Sequence, residues 1–109
     1  MTTTTATPRN TCHPARPEVP LAIWPVAQST AQWQRAGRYL PGVARHPGKM
    51  LPALAARIVA EYSAPGDLVC DPLAGIGTTL AEAALLGRRA VGVELDERWV
   101  TLATDVRVR

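Results

Sequence analysis

Residues 69–99 read VCDPLAGIGTTLAEAALLGRRAVGVELDERW. An apolar run ends in an acid, Asp71, and two glycines follow at Gly75 and Gly77. Asp67-Leu68-Val69-Cys70-Asp71 predicts a short buried strand. Thr78 to Leu86 predicts a helix. Gly87 stands where a helix C-terminus favours a residue that tolerates positive φ. Arg88 and Arg89 come next, beside the negative end of the helix dipole. Ala90-Val91-Gly92-Val93-Glu94 predicts a second strand, apolar on both faces like a parallel strand covered by helices. Asp96 is placed to cap a further helix with Trp99, Val100 and Ala103 inward. Strand, helix and strand make one βαβ unit, right-handed by the general rule for such crossovers.

Upstream, Leu51, Leu54, Ala55, Ile58, Val59 and Tyr62 recur at the spacing of one helix face. Pro52 suits the first turn of that helix, where a missing N–H costs nothing. Ser63-Ala64-Pro65-Gly66 ends it. The expected class is α/β: a partial Rossmann-like arrangement of one βαβ unit and flanking helices.

A strand running through a glycine loop into a helix makes a corner suited to nucleotides. Backbone N–H groups at the helix N-terminus point outward there, and glycines let a ligand approach the backbone. A phosphate-cradling loop of the GxxxxGK[ST] kind is excluded, because no lysine follows Gly75 or Gly77. A dinucleotide loop wants a small residue where Leu80 stands, and the Asp71 carboxylate would repel a pyrophosphate. That acid suits a ligand with a cationic amino group and no phosphate, such as S-adenosylmethionine. Glu94 lies 23 residues after Asp71, placed to accept hydrogen bonds from two ribose hydroxyls. Charge thus favours S-adenosylmethionine over a dinucleotide and over a purely structural turn.

Three stretches in order then resemble a known family. His46-Pro47-Gly48-Lys49-Met50-Leu51-Pro52, Asp71-Pro72-Leu73-Ala74-Gly75-Ile76-Gly77-Thr78-Thr79 and Gly92-Val93-Glu94-Leu95-Asp96 are similar to consecutive motifs of DNA methyltransferases of the N4-cytosine/N6-adenine type. The likeness covers roughly residues 24–105 and extends, more loosely, to tRNA guanine methyltransferases. It implies an S-adenosylmethionine-dependent methyltransferase fold acting on DNA, with RNA as the alternative. Asp71, Pro72, Gly75 and Gly77 would face the methionine moiety, and the hydroxyls of Thr78 and Thr79 would bind its carboxylate. His46, Pro47 and Lys49 would close over the methionine end. Glu94 would hold the ribose, with Leu95 and Asp96 bordering the adenine. Read without the family, His46 is a cap or surface residue, Thr78 and Thr79 are helix caps, and Asp96 does no more than cap its helix.

The chain departs from that family in one respect. Amino-methylating members carry a [DNS]-P-P-[YFW] signature, which receives the target amine and stacks on the flipped base. There is no Pro-Pro pair in this sequence, and its single Asn is Asn10. No residue is therefore assigned a catalytic role, and none a metal. Two strands also fall short of the seven of a full methyltransferase sheet, and a strand edge would be left unpaired. The expectation is the N-terminal cofactor-binding part of a longer enzyme, inactive alone, or a module whose sheet a partner chain completes.

The totals agree with one small domain. The 109 residues are 47% hydrophobic and 19% charged, and no apolar run approaches a membrane span. Cys12 and Cys70 form no CxxC or Cys/His cluster, so a cytoplasmic protein with reduced thiols is the simplest reading. Residues 1–58 hold seven basic side chains and one acid, whereas residues 59–109 hold five basic side chains and eight acids. The expected organisation is a disordered, Thr- and Pro-rich lead over 1–20, an irregular basic and aromatic strap over 21–48, and an incomplete methyltransferase cofactor-binding domain over 49–109. Trp24, Trp33 and Tyr39, interleaved with Arg35, Arg38 and Arg45, either pack the strap onto the domain or clamp nucleic acid. Packing is the expected role.

Overall fold

A computed structural model describes residues 23–26 and 28–104. The expected disordered lead lies outside them. The order is α1 (Ala31–Arg35), a 3₁₀ turn (Pro41–Arg45), α2 (Pro52–Tyr62), β1 (Leu68–Asp71), α3 (Thr78–Leu85), β2 (Arg89–Gly92) and α4 (Glu97–Thr104). The two strands are parallel, with Leu68 beside Arg89 and Asp71 beside Gly92. The helix α3 crosses between them and packs on both strands and on α2. This is the expected partial Rossmann-like unit.

Small residues set the spacing between helices. Ala55 and Val59 of α2 are buried, as are Ala81 and Ala83 of α3 and Ile76 of the preceding loop. Short side chains let the two helices approach closely, and their burial contributes apolar stabilisation. Leu51, Leu54 and Ile58 are half-buried, and Tyr62 at the end of the predicted face is exposed. Its ring leans on Trp24, with centroids 6.4 Å apart.

The ends of α3 follow from glycines. Gly77 precedes the helix in a left-handed conformation, and Gly87 follows it at φ 78°. Gly87 and Arg88 donate backbone N–H groups to Ala84 and Ala83, closing the last turn. The Arg88 guanidinium then reaches the Ser63 hydroxyl at 3.0 Å and the Ser63 carbonyl at 2.7 Å. It therefore ties the end of α3 to the end of α2.

The strands depart from expectation in burial. Both are shorter than predicted, and Cys70 and the whole of β2 are exposed. Only α3 packs extensively on them, and each strand has one unpaired edge among the described residues. Apolar character on both faces is therefore not matched by cover on both faces.

Residues 28–48 include α1 and the 3₁₀ turn. Thr30 caps α1 by accepting the Trp33 amide at 3.2 Å. Gln34 accepts the Ala53 amide at 2.9 Å, capping α2 from a distant segment, because Leu51 offers that helix no side-chain cap. Arg35 donates to the carbonyls of Ala31 and Met50. Arg38 donates to both oxygens of Glu82, at 2.9 and 2.7 Å, and the Tyr39 hydroxyl donates to one of them at 2.7 Å. Glu82 is only 3% exposed, so these partners offset the cost of burying its charge.

Two positions give these contacts measurable consequences. A Cβ on Gly92 would stand 2.7 Å from both Ala74 Cβ and Leu80 Cδ1, and the first of these is fixed to backbone. Gly92→Ala should lower the unfolding free energy by about 1–3 kcal/mol, read by denaturant titration. Burial, and then the bond to Glu82, push the Tyr39 phenol well above its ordinary pKa of 10.0. The folded chain therefore keeps this proton after the unfolded chain has lost it. Tyr39→Phe should cost about 1.5–3 kcal/mol below that ordinary value, and its deficit against the parent should narrow as pH rises above it.

Candidate functional site

The tips of β1 and β2 lie side by side, and both continue into loops carrying an acid. Asp71 is half-buried at the end of β1, and its Oδ1 accepts the Leu73 amide at 3.0 Å, folding the chain back over the strand end. The backbone stays paired one step further: Val93 donates to the Asp71 carbonyl at 2.9 Å, and Ala74 donates to the Val93 carbonyl at 3.0 Å. The glycine loop is thus hydrogen-bonded to the chain leaving β2.

Glu94 completes that closure. Its Oε2 accepts the Gly75 amide at 2.9 Å and its Oε1 accepts the Asp96 amide at 2.8 Å. The sequence reading gave Glu94 to two ribose hydroxyls; the structure shows it joined first to the backbone of both loops. Each carboxylate oxygen has a second lone-pair site, so this use leaves it able to accept another donor.

Gly75, at φ 54°, and Gly77, at φ 77°, both hold the left-handed conformation that side chains disfavour. Gly77 also lies against α4, where an added Cβ would come within 3.0 Å of Ala103 Cβ. Because Gly77 has no side chain to cap α3, that helix opens with no side-chain partner for its first amides. Thr78 at this end is buried, and its Oγ1 has no hydrogen-bond partner. Thr79 is half-buried beside it.

His46 closes the other side. Its Nε2 lies 3.4 Å from where a Cβ on Gly75 would stand. Its Nδ1 accepts the Gly48 amide at 3.1 Å. Lys49 donates to the carbonyls of His46 at 2.7 Å and Ala44 at 3.1 Å, so it fastens the turn that presents the imidazole. The imidazole meets the Trp99 ring edge-on, with centroids 4.7 Å apart. Pro47, Pro72 and Leu95 are exposed. Trp99, expected to point inward, is half-buried and packs on His46. Its position three residues after the Asp96 cap, in the first turn of α4, was the available signal.

Asp96 begins α4. Its Oδ1 accepts the Arg98 amide at 3.0 Å, and its carboxylate is also held by the Arg98 guanidinium. The guanidinium hydrogen bond holds the Asp96 carboxyl below the usual carboxylate range.

The residues brought together at the strand tips are therefore Asp71, Gly75, Gly77, Thr78, Glu94 and Asp96, with His46 above Gly75. The corner offers amide donors at the start of α3 and carboxylate acceptors opposite them. Its integrity rests on Glu94. Glu94→Ala should abolish the hydrogen-exchange protection of both the Gly75 and Asp96 amides, whereas Glu94→Gln should retain it at one of them.

Comparison with known proteins places these elements in context. The DNA methylase family model N6_N4_Mtase matches residues 5–105. The chain is 40% identical over 57 residues to the DNA adenine methyltransferase YhdJ of Escherichia coli strain K12. It is 47% identical over 49 residues to the type II methyltransferase M.MthZI of Methanothermobacter thermautotrophicus. These matches cover 52% and 45% of this chain but only 19% and 14% of those proteins. Among solved structures, TTHA0409 of Thermus thermophilus, assigned as a DNA modification methylase, superimposes in its selenomethionine form with a TM-score of 0.51. That match is 37% identical and covers 75% of this chain and 43% of the other. The same protein complexed with S-adenosyl-L-methionine gives a TM-score of 0.49 at 41% identity, covering 70% of this chain and 36% of that one.

Proposed function

The chain belongs to the DNA methylase family, and from that premise we propose that its corner at the strand tips binds S-adenosylmethionine for methyl transfer to an amino group of a DNA base. The observation that carries the reading is the bridging of the two loops by Glu94 beside an uncapped α3 N-terminus. The residues present fit this ligand. Its carboxylate would take the open amides of α3 and the unpartnered Thr78 hydroxyl, and Thr79 would stand beside it. Asp71, with one oxygen engaged by Leu73, would face the α-ammonium with the other. The remaining acceptor sites of Glu94 would take the ribose hydroxyls. His46, fastened by Lys49, would cover the methionine end together with Pro47. Leu95 and Asp96 would border the adenine.

When bound, the cofactor supplies a methyl group on a cationic sulfonium. This chain's own residues hold and orient it; Asp71 and Glu94 favour its positive charge and disfavour a pyrophosphate. The groups that receive the target base in amino-methylating enzymes, [DNS]-P-P-[YFW], are not found in this sequence. In this reading the chain contributes the cofactor half of the site. DNA is the substrate favoured by family membership, and RNA is not favoured. A second polypeptide pairing with the free strand edges would cover Val91 and Val93, both exposed. The free thiol of Cys70 suits a cytoplasmic setting. Among the described residues, no helix is long and apolar enough to cross a membrane.

Calorimetric titration with S-adenosylmethionine and S-adenosylhomocysteine tests the proposal. Saturable binding is expected, with NADH giving none. Asp71→Ala and Glu94→Ala should each weaken the affinity roughly 10–100-fold, the loss of a hydrogen bond to a charged group. Absence of binding by a chain whose circular dichroism shows it folded would overturn the assignment.

A further inference from the structure

The structure redistributes the basic and aromatic residues of the strap. Arg38 and Tyr39 are committed to Glu82, and Arg35 to backbone carbonyls. Trp24 lies against Tyr62 and under the guanidinium of Arg57, 5.6 Å from its ring centroid. Arg45 is different: it is exposed, and among the described residues its guanidinium has neither an ion pair nor a hydrogen bond. It lines a groove of about 510 Å³ with Gly42, Arg98, Trp99, Thr101 and Leu102.

That groove joins the 3₁₀ turn to α4, so residues more than 50 positions apart in the sequence form it. Among the described residues, its two titratable side chains are both arginines. The Asp96 carboxylate beside it is occupied by Arg98, whose guanidinium also lies 5.5 Å from the Trp99 ring centroid. Glu97, in the first turn of α4, is exposed and does not line the groove. The floor is apolar: Leu102 Cδ2 would stand 2.8 Å from a Cβ on Gly42. Trp99 reaches His46, and His46 covers Gly75, so the groove opens one side chain away from the glycine loop.

We propose that this groove seats the sugar–phosphate backbone of duplex DNA beside the cofactor corner, an assignment that rests on the DNA methylase reading above. Arg45 presents up to five N–H donors, uncommitted among the described residues, in a planar fork that matches two phosphate oxygens. Arg98 is paired with Asp96, so the net positive charge at the groove is that of Arg45, and the Trp99 ring and Leu102 give the deoxyribose an apolar wall. Phosphate contacts of this kind position a duplex without reading its sequence.

Fluorescence anisotropy of the full chain with a labelled DNA duplex, across a range of salt concentrations, tests the proposal. Arg45→Gln should reduce the slope of log affinity against log salt by about 1. Thr101→Glu should weaken binding by placing an anion in the groove. Arg89→Gln removes the same charge from the far end of β2 and should leave binding unchanged. Equal loss in Arg45→Gln and Arg89→Gln, no loss in Arg45→Gln, no binding of DNA by the parent chain, or tighter binding of an RNA duplex would each overturn it. S-adenosylhomocysteine calorimetry on the same samples separates the two readings. Arg45→Gln should retain cofactor affinity, and loss of cofactor binding by the parent would count against the corner rather than the groove.

Discussion

The carboxylate of Glu94 accepts the Gly75 amide through one oxygen and the Asp96 amide through the other, and this pair of bonds sets the geometry of the corner. Two loops that leave different strands are held by a single side chain. A carboxylate suits the task because both oxygens accept and neither donates. The bonds to backbone N–H groups are charge-assisted and therefore stronger than neutral ones. Around this bridge the remaining parts are positioned: the α3 N-terminus on one side, the Asp96 cap of α4 on the other, and His46 above Gly75.

A second carboxylate organises α3 further along its length. Glu82 is buried one helical turn beyond Thr78 and is held there by Arg38 and Tyr39. Residues 29–50 are thereby fixed to the helix whose first turn forms part of the corner. Gln34 and Arg35 extend the attachment to the start of α2, where the chain leaves the His46 turn. The excess positive charge of the first half is thus partly spent inside the fold, leaving Arg45 outward. Charge totals cannot show this division, because they do not say which guanidinium meets which acceptor.

The sheet shows a comparable division between pattern and cover. Val91 and Val93 have the composition of a strand enclosed by helices, yet both are exposed. Composition reports what a strand can bury; neighbours decide what it does bury. The chain matches 14–19% of the curated relatives' length.

The order helix, strand, glycine loop, helix, strand, helix was legible in the sequence because its signals are local. Apolar spacing marks α2, glycines mark the two ends of α3, and Asp96 marks the start of α4. The acids and glycines of the corner were legible for the same reason, since strand tips place Asp71 and Glu94 together once the strands are parallel. The tertiary structure alone decided how those residues are used. The Arg38–Glu82 contact joins residues 44 apart and the capping of α2 by Gln34 joins residues 19 apart. Neither has a periodic signature, because hydrogen bonds between distant segments depend on how helices pack and not on spacing along the chain. The placement of Trp99 against His46, and of Arg45 with Arg98 along one groove, arises from that same packing.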